Sequence, residues 1–138
     1  MIASAGSMFS ASLYIGGHGK ALSDLADALG VLPSNVLGHA QSDVDFSFYT
    51  RCENSIFFSA IHGDFFLACD VGLFCTTQKE FHSKLLALSL KGVKIALPDE
   101  ASESLFDYFI FENGAVRSAV VLQDDDTDTV AICKNADA

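Results

Sequence analysis

Apolar residues in this chain change their spacing several times, and each spacing predicts a different element. Ser12 to Ile15 is a short β-compatible run that ends in glycines, which suits a first strand. Leu22, Leu25, Ala26 and Leu29 then recur at steps of three and four, with Ser23, Asp24 and Asp27 turned away from them. That spacing predicts a helix, and Gly30 supplies its stop. Residues 31–43 hold Pro33 and Gly38 and read as a connection with one helical turn. From Val44 the period becomes two: Val44, Phe46 and Phe48 oppose Asp45, Ser47, Tyr49 and Arg51, as in a half-exposed strand. Two β-rich runs follow, 55–61 and 64–71, joined at His62-Gly63-Asp64 in what reads as a tight hairpin. Its residues are large on both faces, Phe57 and Ile61 on one and Ile56 and Phe58 on the other.

The second helix has the clearest start, because Thr77 and Glu80 stand as a capping box ahead of Phe81, Leu85 and Leu88. Lys91 and Gly92 end it. Val93, Ile95 and Leu97 alternate as a strand that Pro98 stops, and Asn113-Gly114 marks a second hairpin. A last strand follows the acidic turn 124–128. The order predicts one α+β domain: a mostly antiparallel sheet of six to eight strands with two main helices packed on it. The halves form a weak pseudo-repeat of helix then strands. Residues 8–135 form the expected domain. Residues 1–7 read as a disordered segment, or one foreign to a natural start at Met8, and 136–138 as a tail.

Composition narrows the function classes. Half of the 138 residues are hydrophobic and 12 are Phe, so apolar material exceeds what one sheet face needs. Eight basic and 18 acidic residues give a net charge of -10, which repels nucleic acid and anionic membrane surfaces. Cys52, Cys69, Cys75 and Cys133 form no CxxC pair, and the four histidines form no HxH or HExxH pair. No metal site or cofactor is expected, and reduced thiols suit a cytoplasmic setting. No apolar run is long enough for a membrane helix.

Two clusters carry candidate chemistry. Gly17, His18, Gly19 and Lys20 form a glycine turn at a helix start, where backbone amides and a lysine can hold an anion. The turn lacks a P-loop's first glycine and its Ser or Thr, because Tyr14 and Ala21 stand there, and it lacks the third glycine of GxGxxG. Asp124, Asp126 and Asp128 alternate as in a calcium loop, but Thr129 occupies the obligatory glycine position and Asn135 the glutamate position. With Asp125 they read as a solvated acidic surface for a basic partner. His62 beside Asp64 could orient each other for acid-base work, although turn chemistry explains both.

No nucleophile elbow or other catalytic constellation stands out, which leans away from an enzyme. The expectation is a cytoplasmic interaction protein. It would self-associate as a homodimer through its Phe-rich sheet, or engage a basic protein in the manner of an inhibitor or immunity protein. The alternative is a small-molecule binding domain or enzyme with an anionic ligand at residues 16–20.

Overall fold

The computed structural model describes residues 8–39, 48, 51–74 and 76–133. Strand β1 (Met8–Gly16) leads into α1 (Ala21–Ala28), a single 3-10 turn (Pro33–Asn35) and β2 (Val36–Gly38). Next come β3 (Ser55–Ala60), β4 (His62–Gly63), β5 (Leu67–Phe74) and α2 (Gln78–Ser89). The chain closes with β6 (Lys94–Pro98), β7 (Asp107–Glu112), β8 (Ala115–Asp124) and β9 (Thr129–Ile132). The fold is α+β, with one sheet ordered β2-β3-β5-β1-β6-β7-β8-β9-β4. Its neighbours are antiparallel except β2 with β3 and β4 with β9. The nine strands among the described residues exceed the expected six to eight, because β2 and β4 are too short to leave a periodic signal.

Helices α1 and α2 cover one face. On α1, Ala21, Leu25, Ala26 and Leu29 are buried, and on α2 Phe81, Leu85 and Leu88 are, at the expected helical spacing. The capping box of α2 is complete: Thr77 Oγ1 accepts from the Glu80 amide, and Glu80 Oε1 accepts from the Thr77 amide. Beneath the helices lie Leu13, Ile15, Ile56, Cys69, Val71, Ile95 and Phe111. Each fully buried side chain of this size stabilises the fold by about 1.5–3 kcal/mol. β1 starts four residues before the expected Ser12, since β5 supplies a partner along Met8–Ile15.

The opposite face is covered as well. Phe65, Ala96, Tyr108, Ile110, Val121 and Val130 form a second core there. It is enclosed because the sheet curls until β9 meets β4, which lies in the connection between β3 and β5. This corrects the tight hairpin expected at 62–64. Ala60 pairs with Leu67, the Ile61 amide donates to the Phe66 carbonyl oxygen at 3.0 Å, and the four residues between Ile61 and Phe66 leave the ladder to reach β9. The His62 amide donates to the Asp128 carbonyl oxygen at 2.8 Å, and the Asp64 amide to that of Val130 at 2.9 Å. Gly63 is required by this approach: its φ is +104°, and a Cβ there would lie 2.2 Å from the Val130 carbonyl oxygen.

The strand expected over 44–51 falls largely outside the described residues. Phe48, which is described, is helical and buried, and its ring lies 6.1 Å from that of Phe57. The second hairpin forms as expected, with Asn113 and Gly114 both at positive φ.

Candidate functional site

Residues 8–74 supply β2-β3-β5-β1 and residues 94–132 supply β6-β7-β8-β9, so β1 and β6 form the seam between two halves of the sheet. They pair only along Tyr14–Gly16, through Tyr14↔Ala96, Ile15↔Ile95 and Gly16↔Lys94. The same register continued would set Ser12 opposite Pro98 and Ala11 opposite Asp99. Pro98 has no N–H to give a ladder. Asp99 then turns the chain: its Oδ1 accepts from the Ala101 amide at 3.1 Å, and its carbonyl oxygen from the Ser102 amide at 3.1 Å. The strands part, and a cleft of about 540 Å³ opens between them.

The cleft has an apolar side and an acidic rim. Phe9, Leu97 and Phe109 line it from the sheet and Phe81 from α2, with the Phe9 and Phe81 rings 5.1 Å apart. Alternation along β1 sends Phe9 and Ala11 toward the helices, and Met8, Ser10 and Ser12 to the opposite face. On that opposite face Ser12 donates to Asp70 Oδ1 at 2.6 Å, and His39 Nε2 lies 3.2 Å from Asp70 Oδ2. The His39 ring also stands 5.9 Å from that of Phe57. Asp70 thus joins a serine and a histidine. In this order the histidine does not touch the serine, so the trio cannot activate a nucleophile as a Ser-His-Asp triad does. Asp99 and Glu100 complete the rim, and no Lys or Arg stands among the described residues lining the cleft.

The glycine turn at 16–20 sits elsewhere, folded against the end of α2. Gly17 has φ +106°, and a Cβ on it would lie 2.1 Å from the Gly92 carbonyl oxygen, so only glycine allows the two turns to touch. His18 fastens them: Nε2–H donates to the Lys91 carbonyl oxygen at 3.1 Å, and Nδ1 accepts from the Lys20 amide at 3.0 Å. Nδ1 must be unprotonated to accept, so these partners select the Nε2–H tautomer. Asp24 Oδ2 stands 3.5 Å from the same Nε2. The Ala21 amide donates to the His18 carbonyl oxygen at 3.1 Å. Two of the amides an anion would use are therefore engaged within the turn. Gly19 and Lys20 are exposed.

The other sequence candidates are dispersed. Asp124, Asp125, Asp126 and Asp128 are exposed on the β8–β9 turn, where Asp124 Oδ1 accepts from the Asp126 amide at 3.0 Å. Asp64 does not serve His62: its Oδ2 accepts from the Ile132 amide at 2.7 Å, adding a clasp to the curl. Among the described residues no group of His, Cys, Asp and Glu could hold a metal ion, and no helix is long and apolar enough to cross a membrane. Cys52 and Cys133 are exposed, Cys69 is buried, and Cys75 lies outside the described residues. Burial, with the Asp70 charge second, pushes the Cys69 thiol up to about 12. Burial also holds the Tyr14 hydroxyl well above the usual phenol range, with the Tyr108 hydroxyl and then the Asp125 charge adding to the effect.

Sequence reasoning missed the cleft. Its local signal was Pro98-Asp99, which marks the end of a strand without saying which strand that end abandons. Compared with known proteins, the chain matches no family model, no curated protein and no solved structure.

Proposed function

We propose that this protein is a non-enzymatic binding module that holds a basic segment of a partner protein in the cleft between β1 and β6. One observation carries the reading: Phe9, Phe81, Leu97 and Phe109 line the cleft on the helix side of the sheet, Asp70 lines it on the opposite face, Asp99 and Glu100 add two more carboxylates, and no lining Lys or Arg is described. A segment that carries both basic and apolar residues suits such a place, because its apolar side chains can pack on the rings while its cations reach the carboxylates. The net charge of -10, with Asp124, Asp125, Asp126 and Asp128 exposed, speeds the encounter with a cationic partner. The compartment that goes with this reading is the cytoplasm, whose reducing poise suits the Cys69 thiol.

Fluorescence anisotropy with a labelled hexapeptide of alternating Lys and Val tests the reading. Binding is expected to weaken as salt rises and to fall in Glu100→Lys and Phe9→Ser variants, while a peptide with Glu in place of Lys does not bind. Binding of the lysine peptide that is indifferent to both variants and to salt would place the partner elsewhere.

A second reading has its own observation. On β8, Val116 and Val120 pair with Phe111 and Asp107, which sets them with Leu122 on the helix-side face; all three are exposed, as is Phe106. A second copy of the chain could cover this row and form a homodimer. Sedimentation of the wild type against Val120→Lys tests it: the reading requires a dimer in the first and a monomer in the second.

A further inference from the structure

We propose that the partner segment binds as an added β-strand on the edge of β1, and that its sequence must therefore alternate basic and apolar residues. This rests on the cleft reading above and specifies what the cleft recognises. β1 is paired with β5 along Met8–Ile15 but with β6 only from Tyr14. Between Met8 and Leu13 its other edge therefore has no strand partner among the described residues. An open edge of this kind offers N–H and C=O groups to an extended chain, which is the mode of peptide recognition by strand addition.

The length and the two faces define the ligand. Six residues of β1 span about 20 Å at roughly 3.3 Å each, so a hexapeptide matches the edge. A strand laid beside β1 continues its alternation. Side chains on one face meet Phe9, Phe81 and Phe109 under α2, and those on the other fall beside Ser10, Ser12 and Asp70. The first set is favoured when apolar and the second when cationic. A segment carrying the same residues in two blocks places half of them on the wrong face, because the strand period is two.

The unmodified full chain tests this against a panel of hexapeptides by fluorescence anisotropy. Alternating Lys-Val-Lys-Val-Lys-Val is expected to bind at least tenfold tighter than the blocked Lys-Lys-Lys-Val-Val-Val, which has the same charge and composition. N-methylation at one alternate set of peptide nitrogens removes the donors facing β1 and is expected to weaken binding at least tenfold. Methylation of the other set is expected to change it less than threefold. Hydrogen exchange of amides in residues 8–13 is expected to slow when the alternating peptide is added. Equal affinity for alternating and blocked peptides, or indifference to both methylation patterns, overturns strand addition while leaving a basic partner in the cleft. Failure of every lysine peptide to bind overturns the cleft reading and this inference with it.

Discussion

His18 should behave as a fastener of the 16–20 turn, and the consequence can be worked from its two ring hydrogen bonds. His18→Ala removes the bond to the Lys91 carbonyl oxygen at 3.1 Å and the acceptor of the Lys20 amide at 3.0 Å. Each such bond contributes about 0.5–1.5 kcal/mol net. The ring is about one-third exposed, so water can reach the freed groups and the upper end of the range does not apply. The expected loss is roughly 1–2 kcal/mol, or about 3–7 °C in Tm for a chain of this size. Lys20→Ala should cost almost nothing, because the bonds of Lys20 to His18 and Asp24 are made by its backbone, which the substitution keeps. Urea unfolding followed by circular dichroism, with the slope unchanged, measures both. If His18→Ala unfolds at the wild-type urea concentration, the fastening role is wrong. If phosphate-bearing ligands raise the Tm and Lys20→Ala abolishes the rise, the turn is an anion site instead.

Other outcomes follow from polar groups that join distant parts of the chain. Asn54 Nδ2 donates to the Leu29 carbonyl oxygen at 2.9 Å and its Oδ1 accepts from the Phe74 amide at 2.7 Å, so Asn54→Ala should cost about 2–3 kcal/mol in urea unfolding. The Glu53 carboxyl is held below its usual range by hydrogen bonds first from Arg51 and then from Asn35. Its contribution should be complete above the ordinary value of 4.5 and fade as pH falls through the lower folded value, so wild type and Glu53→Gln should converge in acid. Tyr14 has the opposite sense. Its raised folded value favours the fold below the ordinary 10.0, and stability should drop as pH rises beyond that, less steeply in Tyr14→Phe. Cys69 should resist a thiol reagent at mildly alkaline pH until urea unfolds the chain.

Local interactions made much of this protein legible in its sequence. The capping box at Thr77 and Glu80, the positive-φ pair Asn113-Gly114, and the three- and four-residue spacing of Leu25, Ala26 and Leu29 depend on neighbours within a few residues. So does the partition into strands and helices that gives an α+β class. Which strands lie side by side is a matter of contacts across long separations. His62-Gly63 looked like a turn because two residues carry no period, and only the pairing with Thr129 and Val130 makes them a strand. The curl that encloses Phe65 likewise arises from β9 reaching that same segment. The cleft is decided in the same way. Pro98 was visible as a stop; that it stops beside Ser12, and that the cleft there is lined by aromatic rings, is fixed only when β1 and β6 meet at Tyr14 and Ala96.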